Sequence, residues 1–451
     1  MKKHRQKTYS SPTYSRRTLL SASGRLALAL GFGAGGLPWL SGRSRAASAG
    51  HVTIIGAGVA GLAASMQLGA AGVPHRVIEA SSRIGGRAFT ETETFGVPCD
   101  VGAHWLHNAE TNPLVSFAER ARVRTYEAPE EWALFAEGQW LEGEDEEDLW
   151  DEVEDMERAI ERAVDRDRDV AVSGLVDRDA SALARFLVGP YEHAASLSRL
   201  STMDWDAQSE GTDFYCEGGL GALVAQWGAS VPVDFGVIAR KVDWSGAGVR
   251  IETNQGVIES DAVIVTVPTA VLARGDIEFS PKLPHASERA IHDLPLGSYN
   301  HIVVDLDHTD FELPVDTMLG YAGSQGTAGL LVDAGGAGLT YLDVAGDFGA
   351  ELTAQGEAAM LDYARMVLTD LLGADEITPD LLMKAYPWEA MPFAGGAYTA
   401  ARPGRAGARA DLRRSVGERI FFAGEATSLS KPATLDGAIA EGIRAARALA
   451  G

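Results

Sequence analysis

Apolar positions follow two regular spacings along this chain, and each spacing predicts a different element. The run VTII at 52–55 is continuous and rich in β-branched residues, which is typical of a strand buried on both faces of a sheet. A helix is predicted from about Val59 to Ala71, and HRVIEA at 75–80 predicts the next strand. The order strand, helix, strand predicts an α/β domain that begins near residue 50.

Three later regions also show regular patterns. In 141–169 five apolar residues recur at helical spacing, namely Leu149, Val153, Met156, Ile160 and Val164. Most other positions there are charged, so an amphipathic helix with one acidic, solvated face is predicted. Between 237 and 268 apolar residues alternate around an Asn-Gln-Gly turn, which predicts paired β-strands. Residues 421–446 predict a strand, a Gly-Glu turn and a helix.

Residues 1–49 differ in composition from the rest of the chain. They hold nine Lys and Arg residues and no Asp or Glu, with a twin arginine in SRRTLL at 15–20. A weakly apolar stretch at 26–40 and small residues at 47–49 follow, so this region predicts a twin-arginine signal peptide. The 15 residues at 26–40 are fewer than the roughly 20 that span a bilayer, so no stable membrane span is expected. We therefore expect an exported, periplasmic protein that the twin-arginine translocase carries in its folded state.

Length and charge narrow the class of protein further. A chain of 451 residues is too long for one ordinary core, so about two domains are expected. Without residues 1–49, 30 basic residues stand against 63 acidic ones. Nucleic acid is therefore not an expected partner, whereas cationic molecules would be attracted, although a generally solvated surface would also be acidic. Cys99 and Cys216 form no disulfide framework or metal-cluster spacing, and whether they pair stays open, as does the choice between monomer and homodimer.

The first candidate site is the motif GAGVAG at 56–61. Gly56 permits a tight turn, Gly58 lets the backbone approach a diphosphate, and Gly61 lets the following helix pack close to the strand. Glu79 ends the second strand, where an acid binds a ribose diol. RIGGR at 83–87 follows directly, where a nicotinamide enzyme would usually continue its βαβ pattern. The sequence therefore favours a flavin dinucleotide.

The motifs that follow resemble those of the flavin amine oxidase family, which includes monoamine, polyamine and L-amino acid oxidases and the lysine-specific histone demethylases. They are RIGGR, DVGAHWLH at 100–107, FYCEGGLGAL at 214–223, the paired strands at 237–268, WEAMPFAGGAY at 388–398 and FFAGEATSLSKPATLDGAIAEGIRAA at 421–446. The resemblance implies an α/β fold with a Rossmann-like, glutathione-reductase-like FAD-binding domain. It also implies a discontinuous substrate-binding domain of mixed sheet and helices.

The motif positions predict the domain limits. After the signal peptide at 1–49, the FAD-binding domain would comprise residues 50–120, 205–285 and 415–451. The substrate-binding domain would comprise residues 121–204 and 286–414. Within the latter, residues 288–308 resemble the helix and strand that lead into the family's substrate sheet.

The resemblance also implies which residues bind FAD. They are Gly56, Gly58, Val59, Ala60, Gly61, Glu79, Ala80, Arg83, Gly85, Gly86, Arg87, Gly102, Ala103, His104, Trp105, Ala239, Val267, Pro268, Gly424, Glu425, Thr434, Leu435 and Ala438. Residues 83–87 would follow the diphosphate and ribityl chain, Glu425 would bind the ribityl chain, and 100–107 would pass beside the flavin ring. The helix N-terminus near Thr434 would face the flavin O2 edge, where reduction places negative charge. Monoamine oxidases attach flavin through a Cys at the position of Ala397, so FAD is expected to be non-covalent, and no metal is expected.

Five residues are implied in catalysis. Tyr398 matches an aromatic wall in front of the flavin, and Trp388 matches the Trp that precedes it. Thr434 stands where monoamine oxidases have a second aromatic wall, which implies a wider tunnel for a longer amine. His107 stands where polyamine oxidases often contact substrate nitrogen, although a purely structural histidine is an equal alternative. His301 replaces a Lys that bridges through water to flavin N5, and this replacement puts rapid reaction with O2 in doubt.

The expected activity is FAD-dependent oxidation of a primary or secondary amine, with polyamine-like substrates among the candidates, to an imine that hydrolyses to an aldehyde and an amine. O2 would be reduced to H2O2. An amine dehydrogenase that passes electrons to a quinone or redox protein is one alternative. An L-amino acid oxidase is another, and it would need an arginine such as Arg199 to bind the substrate carboxylate. Carotenoid desaturases and protoporphyrinogen oxidase share the fold but usually lack the Trp and GGAY pairing, and a non-enzymatic FAD protein is the remaining alternative.

Overall fold

The computed structural model describes residues 50–129, 132–208, 211–306, 311 and 313–451. The predicted signal peptide lies outside the described residues. Within the described part of the chain, no helix is both long enough and apolar enough to cross a membrane.

The first predicted βαβ unit forms the centre of a five-stranded parallel sheet, which confirms the predicted fold class. Its strands lie in the order Ile420–Phe422, Ala262–Val265, Val52–Ile55, His75–Glu79 and Val233–Phe235. All four residues of the central strand are buried, as its β-branched run predicts. The predicted helix is confirmed at Val59–Ala70, and it packs against the last helix, Leu435–Ala450. A Cβ on Gly442 of the last helix would lie 2.1 Å from the carbonyl oxygen of Ala60, so glycine is needed for this close packing.

The alternating region 237–268 supplies most of a second, four-stranded sheet. Its strands lie in the order Gly256–Ser260, Val249–Thr253, Ala239–Asp243 and Glu278–Ser280. The first three are antiparallel, and Thr253 pairs with Gly256 across the predicted Asn-Gln-Gly turn. The predicted paired strands are therefore confirmed.

A seven-stranded sheet forms the other half of the molecule. Its strands lie in the order Met383–Tyr386, Tyr299–Asp305, Leu339–Ala345, Gly326–Leu331, Met318–Gly323, Trp132–Ala136 and Gln139–Trp140. Helices Gly346–Gln355 and Glu357–Leu372 cover the face that carries Ile302 and Val304. Alternate residues of a strand face opposite sides, so Tyr299, His301 and Val303 share the other face.

The acidic helix lies on that other face. It spans Glu144–Val164, and Leu149, Val153, Met156 and Ile160 are buried as predicted, with Ala163 in place of the half-buried Val164. Their hydrophobic cluster includes Val303 of the sheet. The prediction of an amphipathic helix is therefore confirmed, with limits shorter than the pattern suggested.

The remaining elements are short. Two pairs of antiparallel strands are Thr90–Glu91 with Cys99–Asp100 and Thr125–Glu127 with Phe214–Cys216. The other α-helices are Pro113–Ala121, Ala182–Phe186, Thr202–Asp206, Leu220–Gly228, Thr269–Ala273, His285–Asp293 and Ala408–Arg413. Single turns of 3₁₀ helix lie at Val172–Gly174, Ala334–Gly336 and Glu425–Thr427, and a π-helical turn lies at Leu187–Tyr191. Cys99 and Cys216 are both free thiols.

The sheets draw on separate stretches of the chain. Every strand of the five-stranded and four-stranded sheets lies within 52–79, 233–280 or 420–422. Every strand of the seven-stranded sheet lies within 132–140 or 299–386. The exact domain limits stay a prediction.

Candidate active site

A cavity of about 1280 Å³ runs between the five-stranded and seven-stranded sheets. Drug-sized ligands occupy pockets of ~300–1,000 Å³, so this cavity has room for a dinucleotide and a second molecule. Every predicted FAD-binding residue except Gly61 lines it, and so do all five predicted catalytic residues. The structure therefore brings these distant parts of the sequence to one site, while the role of each residue stays a prediction.

The glycine loop at one end of the cavity allows close approach of a ligand. Gly56 has a φ of +105°, and a Cβ on Gly61 would lie 2.0 Å from the carbonyl oxygen of Gly56. A Cβ on Gly58 would meet nothing within 4 Å, so this glycine leaves room on the cavity side. The loop leads into the helix Val59–Ala70, whose first N–H groups favour an anion. These features fit a dinucleotide diphosphate.

Backbone N–H groups hold the ribose acid in place beside this loop. Glu79 accepts hydrogen bonds from the amides of Ala57 at 2.7 Å and Ser81 at 2.8 Å. Each carboxylate oxygen has a second lone pair that can accept a hydrogen bond from a ribose hydroxyl. The geometry at Glu79 therefore also fits FAD.

Arginines from the RIGGR motif line the same end. The Arg83 guanidinium lies 4.0 Å from the centre of the Phe89 ring, and burial lowers its pKa. Arg87 lies 3.0 Å from Glu425 and also donates to the carbonyl of Ala397. Arg87 thus joins the first and last FAD-binding segments to the GGAY loop, a contact that the sequence did not reveal.

Side chains from the seven-stranded sheet and the GGAY motif hold the backbone of 100–102. The Asp100 amide donates to the Tyr341 hydroxyl at 2.9 Å. The indole of Trp388 donates to the carbonyl of Val101 at 2.9 Å, and His301 Nε2 lies 2.9 Å from the carbonyl oxygen of Gly102. A Cβ on Gly102 would lie 2.6 Å from the Trp388 ring. The segment that the resemblance places beside the flavin is therefore fixed at three successive residues.

The motif FYCEGGLGAL anchors the same segment from the opposite side. The carboxylate of Asp100 accepts from the amides of Leu220 at 2.8 Å and Gly221 at 3.0 Å. A Cβ on Gly221 would lie 2.2 Å from the Thr90 amide nitrogen, which explains why glycine is needed there.

Tyr398 belongs to a wall of three tyrosines that line the cavity. The Tyr299 ring centroid lies 6.1 Å from that of Tyr398 and 6.0 Å from that of Tyr191. Burial raises the pKa of the Tyr299 and Tyr398 hydroxyls well above the usual value, so both rings stay neutral. Such a wall can hold the apolar chain of an amine and, through its π-faces, a cation.

Sequence reasoning found Tyr398 but missed the other two tyrosines. Tyr299 lies two positions before His301 on one strand, so strand alternation could have placed it on the same face. Tyr191 comes from the π-helical turn Leu187–Tyr191, where Pro190 has no N–H for a regular helical bond. Such turns are frequent at functional sites, but the apolar pattern does not predict them.

Thr434 lines the cavity at the start of the last helix. It is the N-cap of Leu435–Ala450, and its hydroxyl accepts from the amide of Gly437 at 3.1 Å. This bond fixes the start of a 16-residue helix whose first residues line the cavity. The predicted helix N-terminus is therefore present at the cavity.

His107 is paired with an acid at the cavity surface. Its Nδ1 lies 2.9 Å from a carboxylate oxygen of Asp213, and its ring stacks on Trp105 with centroids 6.2 Å apart. Burial alone would lower the pKa of His107, but Asp213 raises it. The contact with Asp213 fits both a structural role of His107 and a role in binding the substrate.

Charges along the cavity are unevenly distributed. Six carboxylates belong to lining residues outside the predicted FAD-binding set, namely Glu110, Glu127, Glu157, Glu192, Asp213 and Asp276, and we call them the acidic lining. The arginines among the described lining residues are Arg83, Arg87 and Arg240, all from the predicted FAD-binding domain. Arg199, the candidate clamp for a substrate carboxylate, instead forms an exposed ion pair with Asp347 at 3.0 Å.

His301 lies on the middle of its strand with both ring nitrogens occupied. Nδ1 lies 2.5 Å from Asp343 and Nε2 lies 2.9 Å from the carbonyl oxygen of Gly102. Burial opposes a charged ring, but Asp343 raises the pKa of His301. His301 therefore differs from an ordinary histidine that titrates near neutrality.

Comparison with protein families explains this arrangement. The family described as flavin containing amine oxidoreductase matches residues 113–450, and an NAD(P)-binding Rossmann-like domain matches residues 54–121. The chain belongs to the flavin containing amine oxidoreductase family. FAD is therefore the cofactor of this amine oxidoreductase, and the glycine loop, Glu79 and the arginines are the residues that fit it.

Two relatives of this amine oxidoreductase illustrate the breadth of the family. Protein FLOWERING LOCUS D of Arabidopsis thaliana is 29% identical over 445 residues, which covers 88% of this chain and 55% of the relative. Lysine-specific histone demethylase 2 of Homo sapiens is 24% identical, with 88% and 53% coverage. The chain spans about half the length of these curated relatives.

Solved structures of similar fold include putrescine oxidase. The wild-type protein bound to putrescine has a TM-score of 0.72 and 19% sequence identity, and the match covers 88% of this amine oxidoreductase and 98% of putrescine oxidase. The A394C mutant has a TM-score of 0.75 at the same identity. These matches agree with the fold described above.

Proposed function

We propose that this amine oxidoreductase oxidises a primary or secondary amine that carries a second positive charge, as diamines and polyamines do. The α-carbon gives up a hydride and the nitrogen a proton, which yields an imine. Water then converts the imine to an aldehyde and releases ammonia from a primary amine, or a smaller amine from a secondary one. Bound FAD supplies the hydride acceptor.

The division of charge along the cavity carries this proposal. The acidic lining attracts cations, and the three lining arginines belong to the predicted FAD-binding domain. A carboxylate-bearing substrate would be repelled, and Arg199 is too exposed to bind one in the cavity. The charge distribution therefore favours a diamine over an L-amino acid. The similarity in fold to putrescine oxidase agrees with this choice.

The tyrosine wall would supply orientation rather than acid–base chemistry. The hydroxyls of Tyr299 and Tyr398 are committed to Asp343 at 2.8 Å and to the carbonyl of Glu192 at 3.2 Å. The rings are thereby held in fixed positions, and fixed walls reduce the entropy lost when a flexible amine is aligned. Ala397 lines the cavity beside Tyr398, in keeping with non-covalent FAD.

Amine oxidation can be tested apart from the electron acceptor. The purified holoprotein is mixed without oxygen with spermidine, 1,4-diaminobutane, phenylethylamine and an L-amino acid, and flavin absorbance is followed. We expect the diamine and polyamine to bleach the flavin fastest. The proposal is abandoned if no amine bleaches it.

O2 is the proposed acceptor, reduced by two electrons and two protons to H2O2. Transfer to a quinone or redox protein is the second candidate, because His301 has no nitrogen available for the water bridge made by the family Lys. The amount of peroxide formed per amine consumed, in air and with added quinone, distinguishes the two. A ratio near one in air supports the oxidase, whereas little peroxide and rapid quinone reduction support the dehydrogenase.

Glu157 provides a test of the acidic lining. Changing it to glutamine removes one carboxylate from the cavity, so we expect KM for 1,4-diaminobutane to rise about fivefold. KM for butylamine should change less than about twofold, because this amine lacks the second charge. Glu154→Gln, on the exposed side of the same helix, is the matched control. Equal effects on both amines would show that Glu157 does not recognise the second charge.

We also propose export by the twin-arginine translocase, on the composition of residues 1–49. Changing Arg16 and Arg17 together to lysine should keep FAD-loaded protein in the cytoplasm, because the paired arginines form the recognised signal. Fractionation of cells that express each form measures this. Unchanged periplasmic accumulation would contradict the proposal.

A further inference from the structure

His301 and Asp343 are direct neighbours on adjacent antiparallel strands. Tyr299–Asp305 and Leu339–Ala345 pair in a register that sets His301 opposite Asp343. Their side chains are almost fully buried, and Nδ1 and Oδ1 lie 2.5 Å apart. The hydroxyl of Tyr299 donates to the second carboxylate oxygen at 2.8 Å. Asp343 is therefore held by one neighbour on each oxygen.

The contacts of His301 define its proton content. Nε2 faces the carbonyl oxygen of Gly102, which can only accept a hydrogen bond, so Nε2 carries a proton. The short bond between Nδ1 and Asp343 holds a second proton. The pair therefore holds two protons between the ring and the carboxylate, and neither ring nitrogen is available to a water molecule.

The carbonyl that His301 holds belongs to the segment beside the flavin position. Tyr341 accepts a hydrogen bond from the Asp100 amide, and Trp388 donates one to the Val101 carbonyl. His301 makes the contact to the next residue, Gly102. Gly102 cannot carry a side chain, because a Cβ would lie 2.1 Å from the carbonyl oxygen of Arg87. The segment therefore passes close to Arg87, and His301 contacts the Gly102 carbonyl.

We propose that Asp343 is a positioning residue, which holds His301 doubly protonated so that the ring fixes the Gly102 carbonyl and places a positive charge in the flavin compartment. His301 stands at the position of the family Lys, but it contacts the Gly102 carbonyl instead of binding a water molecule. The inference rests on FAD occupying the cavity, as in the proposed function.

The other titratable groups around the ring agree with a charged His301. The His104 ring lies beside it, tilted by 31° with centroids 4.9 Å apart, and burial together with the His301 charge lowers the pKa of His104 to about 3. Tyr341 packs edge-on, and burial raises the pKa of its hydroxyl. Asp100 lies close enough to favour the His301 charge. The cation is therefore paired with carboxylates and has no charged histidine beside it.

Asp343→Asn tests the inference with measurements that need no amine. Asparagine keeps the size of the side chain but removes its charge, so burial should make His301 neutral. The charge-assisted hydrogen bond at Nδ1 should then become a weaker neutral one, in which the asparagine amide donates to the ring. In protein labelled with ¹⁵N-histidine, we expect the His301 imidazolium resonances to persist above the ordinary histidine pKa of about 6.5 in the parent protein and to be absent in the variant. His301→Gln assigns the resonances.

Two properties of bound FAD should change in Asp343→Asn. Its dissociation constant should rise about tenfold, as expected when a charge-assisted hydrogen bond that positions the binding segment becomes a neutral one. The flavin midpoint potential, measured by chemical reduction, should become more negative, because a nearby cation stabilises reduced, anionic flavin.

Asp370→Asn is the matched control. Asp370 accepts from the Tyr321 hydroxyl at 2.6 Å, in the same domain but away from the cavity. Tyr299→Phe removes the hydrogen bond between the Tyr299 hydroxyl and Asp343. It should change the FAD dissociation constant and the flavin potential in the same direction as Asp343→Asn, but by less. If Asp343→Asn fails to fold, Tyr299→Phe takes its place in the test. The inference is overturned if these variants bind FAD with the affinity and potential of Asp370→Asn. Failure of every amine to bleach the flavin would overturn the proposed function and leave this result standing.

Discussion

Gly61→Val should yield a folded protein that binds FAD much more weakly than the parent protein does. The added Cβ would lie 2.0 Å from the carbonyl oxygen of Gly56, so the helix or the glycine loop must move. Overpacking of this kind costs about 1–3 kcal/mol, and here the displaced group is the loop that receives the diphosphate. We expect FAD binding to weaken about a hundredfold, measured by calorimetric titration of apoprotein.

Gly69→Val in the same helix is the control for this prediction. A Cβ there is exposed, and its nearest neighbour is a His75 ring carbon at 3.7 Å, an ordinary contact. Both variants replace a glycine by valine within the helix Val59–Ala70, so the change in helix propensity is the same in both. Equal FAD affinity in the two variants would contradict the assignment of the glycine loop.

Arg409→Met should lower the free energy of unfolding by about 3–5 kcal/mol, because it leaves the buried Asp204 carboxylate unpaired. The guanidinium donates to both oxygens of Asp204, at 2.6 and 2.8 Å. It also donates to the Thr399 hydroxyl at 2.8 Å, next to Tyr398, so the aromatic wall should loosen as well. Urea unfolding of the holoprotein measures the loss.

The same ion pair predicts a dependence on acid. Burial would raise the pKa of Asp204, but Arg409 lowers it overall. The resulting stability is fully present above the ordinary Asp pKa of about 3.9 and is lost as pH falls through the lower folded value. Arg158→Met is the control, because Arg158 forms exposed ion pairs with Glu154 and Asp155. It should lower the free energy of unfolding by less than about 1 kcal/mol. If Arg409→Met lowered the free energy of unfolding as little as Arg158→Met does, the expected contribution of the buried pair would be contradicted.

The parts of the fold that follow local rules were predictable from sequence. The turn after Val52–Ile55 requires particular residues at fixed spacing, so the glycine loop and its helix could be identified directly. The apolar spacing of Glu144–Val164 likewise revealed the helix, although its pattern did not show that Glu157 reaches the cavity.

The parts of the site that depend on distant pairing were not predictable. His301 and Asp343 are 42 residues apart, and Asp204 and Arg409 are 205 residues apart, so only the strand register and packing reveal these partners. The sequence showed that His301 replaces a Lys but could not show that both its nitrogens are occupied. The third tyrosine, Tyr191, depends on a π-helical turn that has no simple apolar period.

The central claim is that one cavity holds FAD and selects an amine with a second positive charge. Rapid mixing without oxygen gives the rate of flavin bleaching as a function of amine concentration, for 1,4-diaminobutane and for butylamine. The ratio of maximal rate to apparent dissociation constant should be at least about tenfold higher for the diamine, and the difference should shrink in high salt. Equal values for the two amines, or faster bleaching by butylamine, would contradict the account.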